Sequence, residues 1–139
     1  MERSLVLIKP DAMQRKLAGT IISRLEGRGL KLVALKMLHL DRALATRHYA
    51  IHADKSFFED LINYITSTPI VAAVFEGEET VATARKIMGA TDPARAEPET
   101  IRHDFGLDIQ RNAVHGSDSK ENAEREIDLF FTKDKVFDY

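Results

Sequence analysis

Two uninterrupted apolar runs constrain the fold of this chain more than anything else in it. Leu5-Val6-Leu7-Ile8 ends at Lys9-Pro10, and Ile70-Val71-Ala72-Ala73-Val74-Phe75 follows Thr68-Pro69. Each reads as a buried strand, and the proline, with no N–H to give to a ladder, stops the first. Residues 31–40 form another strand, in which Leu32, Ala34, Lys36 and Leu38 alternate with Val33, Leu35 and Met37 at the strand period of two. A shorter strand is expected around Asn112-Ala113-Val114. Helical signals fill the intervals. Ile21, Ile22 and Leu25 suggest an amphipathic helix from Thr20, closed by Gly27 and Gly29. Asp41 is suited to cap a helix running to about His52, and a second helix covers residues 57–65. Another runs from Glu78 or Glu79 to Met88, and a last from Ser119 to about Phe131. Residues 89–105, with Pro93 and Pro98, read as a long loop, and such loops in compact domains are often functional.

The order is strand, helix, strand, helices, strand, helix, strand, helix. Two β-α-β units in tandem suit an α+β, ferredoxin-like βαββαβ sandwich, with helices on one face of a four-stranded antiparallel sheet. The 139 residues correspond to one domain, residues 1–139, large enough for a real core. With 44% hydrophobic and 30% charged residues, a soluble globular protein is expected. A net charge of -2 gives no general attraction for nucleic acid or an acidic membrane. No run approaches the roughly 20 apolar residues of a spanning helix, and the first residues are no signal peptide, so a cytoplasmic protein is expected. The chain has no cysteine. Disulfides, thiol nucleophiles and zinc–thiolate sites are thereby excluded, and covalent chemistry must use Ser, Thr, His, Lys or a carboxylate.

Neither GxxxxGK[ST] nor a GxGxxG after a strand is present, so any nucleotide is held without those loops. The run Asn112-Ala113-Val114-His115-Gly116-Ser117-Asp118-Ser119 puts His115 at a strand-to-helix turn, with Asp118 and Glu121 matching a capping box. A neutral imidazole there is a good nucleophile. In the last helix Ala123, Ile127, Phe130 and Phe131 define an apolar stripe and Glu126 lies beside it. A carboxylate on that edge needs a partner, and His115 and Ser117 are candidates: a carboxylate fixes an imidazole's tautomer and stabilises positive charge on the ring. Lys9, Arg85 and Arg102 are separated in sequence, but the sandwich topology allows their charges to meet near His115, where they would suit phosphate. The bland alternatives are a polar turn, a solvated glutamate and three unrelated surface cations. Two other readings compete. His48 and His52 stand at i, i+4 and can share an ion, but His48-Tyr49-Ala50-Ile51-His52 lacks the glutamate of HExxH and shows no third ligand. An RNA-binding sheet would need an aromatic RNP1 run, which is missing.

The run NAVHGSDS, from Asn112 to Ser119, together with Ile8-Lys9-Pro10-Asp11, resembles the nucleoside diphosphate kinase family. His48-Tyr49, Phe57-Phe58, Thr83-Ala84-Arg85, Gly89-Ala90-Thr91-Asp92-Pro93 and Thr100-Ile101-Arg102 fall in the family's order and spacing, so the resemblance spans essentially the whole chain. It implies that His115 is phosphorylated through Nδ1, with Glu126 and Ser117 orienting it and Tyr49 beside it. Lys9, Arg85, Arg102 and Thr91 would hold phosphates, with His52 near them. Asn112 and Lys9 would bind ribose hydroxyls, and Phe57 and Ile109 would flank the base. Mg²⁺ would come bridging the nucleotide phosphates, with few or no protein ligands. The implied reaction is ping-pong transfer from ATP or another nucleoside triphosphate to nucleoside diphosphates, tolerant of base identity because every base has a π face. The implied assembly is a homo-oligomer, tetramer or hexamer, with neither membrane nor specific nucleic acid as partner. An inactive relative kept for assembly would not need His115, Glu126, Lys9, Arg85, Arg102 and Asn112 together. Two residues depart from the pattern: His103, where the family usually has Gly or Ala, and Gln110, where many members have Gly. Both flank presumed nucleotide contacts.

Overall fold

The first apolar run becomes an interior strand of the sheet. A computed structural model describes residues 1–139. Its elements are β1 (Glu2–Ile8), α1 (Pro10–Gln14), α2 (Ala18–Gly27), β2 (Lys31–Leu38), α3 (Arg42–His48), α4 (Phe58–Ile65), β3 (Ile70–Gly77), α5 (Thr80–Met88), α6 (Ile101–Phe105), β4 (Val114–Gly116) and α7 (Lys120–Phe130). The sheet order is β2-β3-β1-β4, and every neighbouring pair is antiparallel. This is the expected four-stranded ferredoxin-like arrangement.

Helices cover both faces of the sheet, where the sequence reading placed them on one. The reason lies in β1: Leu5, Val6, Leu7 and Ile8 are all fully buried, and successive side chains of a strand point to opposite faces. Val6 and Ile8 pack with Ile21 and Leu25 of α2, Ile87 and Met88 of α5 and Ile101 of α6. Leu5 and Leu7 pack with Ala45 of α3, Ile62 and Ile65 of α4 and Phe130 of α7. Each such side chain contributes about 1.5–3 kcal/mol when taken out of water, so an uncovered second face would forfeit half the gain.

Several local expectations change. Pro10 stops β1 and also begins α1, an unforeseen helix that has proline in its first turn, where its missing N–H costs nothing. The simple alternation in β2 is broken by a bulge between Leu32 and Ala34, which puts Leu32 against one core and Ala34 and Leu38 against the other. The helix expected to reach His52 ends at His48, and Ala50–His52 is a separate 3₁₀ turn. The long loop holds a 3₁₀ turn at Pro93–Arg95, capped by Asp92, and then α6, capped by Thr100. The last strand starts at Val114, which places His115 on it, opposite Leu7. The cap of α7 is Ser119, whose Oγ accepts from the Asn122 N–H at 3.1 Å. Asp118 instead accepts from the Asn122 side chain at 2.6 Å, so it forms no capping box. No helix is long and apolar enough to cross a membrane.

Candidate active site

β4 and α7 set the two central side chains against each other. His115 Nε2 lies 3.1 Å from Glu126 Oε1, and the Ser117 hydroxyl donates to the same oxygen at 2.6 Å. Ser117 is itself held by the Leu5 N–H, which donates to its Oγ at 3.2 Å. Glu126 sits within the buried stripe of α7, with Ala123 and Phe130, and not on its edge. Burial acts to raise the Glu126 pKa. The hydrogen bond and charge of His115, aided by Ser117, outweigh it, and the carboxyl is held below its ordinary range. An ionised carboxylate at Nε2 selects the tautomer with its proton there, leaving a lone pair on Nδ1. His115 lines a cavity of about 500 Å³, a volume typical of small-ligand sites.

The cations come from three elements. Lys9, at the end of β1, is buried, and its ammonium donates to the Gln110 carbonyl at 2.7 Å and to Asn112 Oδ1 at 2.9 Å. Burial pushes its pKa down to about 8, partly opposed by Asp11. Arg102 is also buried and donates to the Gly89 carbonyl and the Val114 carbonyl, each at 2.9 Å. Its Nε has no partner, and burial, then the charge of Arg85, bring its pKa down to about 10. Arg85 and Thr91 are exposed residues on the cavity wall. Asn112 Nδ2 donates to the Thr91 carbonyl at 2.9 Å, joining the two strands of chain that bear these groups. An overall acidic protein thus puts Lys9, Arg85 and Arg102 around one cavity.

The mouth is apolar. Phe57 and Ile109 are 49% and 65% exposed yet line the same cavity, which leaves two unsatisfied apolar surfaces where a planar ring can lie. His52 stands between Tyr49 and Phe57, with ring centroids 6.4 and 5.8 Å away. Tyr49 is buried, 6.3 Å from the His115 ring, and burial raises its pKa so that it stays protonated. Of the residues given a catalytic or nucleotide-binding role from sequence, all but Ser117 line the cavity; Ser117 stands behind Glu126.

Three side chains have roles here other than those read from the sequence. His48 packs edge-on against His115 at 4.6 Å. It is 2% exposed, neither ring nitrogen has a hydrogen bond, and burial pushes its pKa down to about 3. Its spacing pairs it with His52, but its place three residues after Ala45 on the buried face of α3 turns it towards His115. Asp11 accepts from the Ala113 N–H at 3.0 Å and from the Tyr64 hydroxyl. It thereby fixes Ala113, whose φ of 75° is uncommon for a residue with a side chain, in the turn before His115. Asp118 lines the cavity beside Gly116. The two departures differ in position. Gln110 lines the cavity and ties its rim by donating to the Asp60 carbonyl at 2.9 Å. His103 points to solvent beside Asp104 and is not on the cavity wall.

The family model described as nucleoside diphosphate kinase matches residues 2–136. The chain is 55% identical to a nucleoside diphosphate kinase of Dehalococcoides mccartyi, over all of this chain (100%) and 98% of that one. It is 54% identical to that of Archaeoglobus fulgidus, covering 100% and 92%. Among solved structures, a halophilic nucleoside diphosphate kinase from Halobacterium salinarum in complex with CDP superposes with a TM-score of 0.96. The two are 48% identical, over 99% of this chain and 92% of that one. The Aquifex aeolicus nucleoside diphosphate kinase also gives 0.96, at 38% identity over 98% and 99%.

Proposed function

The chain belongs to the nucleoside diphosphate kinase family, and from that premise we propose that it carries the γ-phosphoryl of ATP, or of another nucleoside triphosphate, to nucleoside diphosphates on His115. The observation that carries this reading is the His115 Nε2–Glu126 contact of 3.1 Å at the floor of a cavity walled by Lys9, Arg85 and Arg102. The Nδ1 lone pair attacks the γ-phosphorus, an N–P bond forms, and the bond to the β–γ bridging oxygen breaks. ADP leaves with that electron pair. The ring becomes cationic, and Glu126 stabilises it through the Nε2 proton. A diphosphate then occupies the same cavity, and its terminal oxygen takes the phosphoryl back from nitrogen. Transfer is therefore ping-pong.

Lys9, Arg102, Arg85 and the Thr91 hydroxyl would bear on the phosphate oxygens, where charge spreads in the transition state. Asn112 and Lys9 would reach the ribose hydroxyls, and Phe57 and Ile109 would flank the base. Mg²⁺ supplies charge neutralisation on the phosphates when bound. The donor set fits an ion carried in by the nucleotide: Glu126 is engaged by His115 and Ser117, which leaves Asp60 and Asp118 as the other carboxylates on the cavity wall and no cage of oxygen ligands. Residues 1–139 would act as one domain, assembled as a homo-oligomer (tetramer or hexamer) and serving the cytoplasmic nucleotide pools.

The test is a two-step transfer. Protein is incubated with γ-labelled ATP and Mg²⁺, freed of nucleotide, and given GDP. Acid-labile, alkali-stable label on the protein that moves to GTP is the expected result, with none on His115→Gln. Folded, ATP-binding protein that takes no label defeats the reading.

A further inference from the structure

Phosphoryl transfer uses His115 and Glu126, but a third ligating side chain is brought to the same point. One donor atom from each of His48, His115 and Glu126 lies within 4.8 Å of the others. His48 is 2% exposed, and both of its ring nitrogens are buried with no hydrogen bond. Buried polar atoms are otherwise almost always partnered, so an imidazole left bare beside a histidine and a carboxylate needs an explanation. Its packing edge-on to His115 at 4.6 Å and to Tyr49 at 4.5 Å accounts for its shape and leaves its lone pair unused.

We propose that His48, His115 and Glu126 form a site for one borderline transition-metal ion, Zn²⁺ being the probe of choice, and that occupancy takes His115 out of use. Two neutral imidazoles and one carboxylate, with a remaining side open to the cavity, make a three-ligand tetrahedral set. Bonds of about 2.0–2.2 Å to zinc put donor atoms roughly 3.3 Å apart. The His115 Nε2–Glu126 Oε1 pair already stands at 3.1 Å, so only the His48 ring has to close in. Imidazole suits zinc, whereas Mg²⁺ asks for octahedral oxygen, so the ion that accompanies nucleotides does not compete. The two histidines come from α3 and β4 and the carboxylate from α7, and the pairing of His48 with His52 suggested by their spacing is not the one the fold makes. An ion on Nε2 takes the lone pair there, so the neutral ring carries its one proton on Nδ1 instead, and the lone pair that would attack phosphorus is gone. The inhibitory half rests on the phosphohistidine reading; the binding half does not.

The full-length, nucleotide-free protein is titrated with Zn²⁺ against a chromophoric chelator, and with Co²⁺ for the visible absorption of a tetrahedral site. One ion per chain is expected, with affinity reduced at least ~10-fold in His48→Phe, which keeps a ring and removes both nitrogens. The same loss is expected in Glu126→Gln, which serves if the first variant fails to fold by circular dichroism. His103→Ala, which removes the exposed His103–Asp104 pair, is expected to bind as wild type. Affinity unmoved in both cavity variants, or lost in His103→Ala, overturns the site. A parallel labelling assay in excess Mg²⁺ is expected to lose phosphohistidine formation as one equivalent of Zn²⁺ is added. Stoichiometric binding without that loss overturns the inhibition. A zinc-free protein that takes no label fails the phosphohistidine reading alone, since the chelator titration still reports the site.

Discussion

Glu126 stands where helical periodicity demands an apolar residue, between Ala123 and Phe130, and an unpaired carboxylate there would cost several kcal/mol. His115 and Ser117 offset that cost and make the position useful. Glu126→Gln keeps the shape and removes the charge that stabilises the phosphorylated ring. Rapid-quench labelling should show phosphorylation slowed by roughly 10²-fold, while equilibrium nucleotide binding stays near wild type. An equal loss in both would move Glu126 from chemistry to binding. Lys9 gives a pH signature of two opposite signs. Its folded pKa is about 8 against an ordinary 10.5, so between these values the unfolded chain holds more protons than the folded one. Through this group the stability of the free protein therefore rises with pH from about 8 to 10.5, by at most ~1.4 kcal/mol per pH unit. Phosphate affinity moves the other way, as the ammonium that faces the nucleotide is lost. Asp11 and Asp108 oppose the shift and Arg102 adds to it. Nucleotide titrations from pH 7 to 10 should weaken through pH 8, and Lys9→Met should remove both trends. Residues with one plain chemical use, such as His115 and Arg102, are legible in the sequence; His48 is legible only as a candidate ligand beside His52, because local spacing does not show that α3 packs it against His115 on β4.

At the scale of elements, strands were the legible part, since β1 and β3 are uninterrupted apolar runs whose burial needs no tertiary knowledge. Short helices were not. α1 and α6 have five residues each, too few for a periodic signal, and they exist because caps and packing hold them. The bulge in β2 was equally hidden, because it depends on which core each side of the strand meets. The segment between α5 and α6 shows what such details do for the site. Gly89 has φ +88°, and a Cβ there would lie 2.5 Å from Thr100 Oγ1 and 2.7 Å from Thr100 Cβ. Thr100 caps α6 through the His103 N–H, and Arg102 on α6 donates to the Gly89 carbonyl at 2.9 Å. Gly89→Ala therefore meets both a backbone penalty and a clash with a capping residue, together about 1–3 kcal/mol. Urea unfolding should show that loss, with nucleotide affinity reduced as Arg102 shifts. Unchanged stability and affinity would mean that this turn is not what positions Arg102.

For the whole molecule, the cavity is closed by parts far apart in sequence, from Lys9 to Glu126, yet β2 contributes nothing to its wall. β2 is instead the edge of the sheet away from β4. Beyond its bulge, Ala34 and Leu38 face the core with α3, α4 and α7, so Leu35 and Met37 point to the other face, outside the cover of α2, and are 51% and 64% exposed. An edge strand bearing large apolar side chains is a template for association unless something covers it. The proposed homo-oligomer would supply that cover, which would separate assembly from chemistry in space. Leu35→Lys combined with Met37→Glu should shift sedimentation velocity towards smaller species, each lost apolar contact weakening association by about 1–2 kcal/mol. Transfer of label from ATP to His115 should persist in those smaller species, because a single chain already brings Lys9, Arg85, Arg102, His115 and Glu126 to one cavity. An unchanged mass would place the subunit contact elsewhere. A smaller species that no longer takes label would show that the neighbouring subunit holds the cavity in shape, through the β2–β3 ladder on which β1 and Lys9 rest.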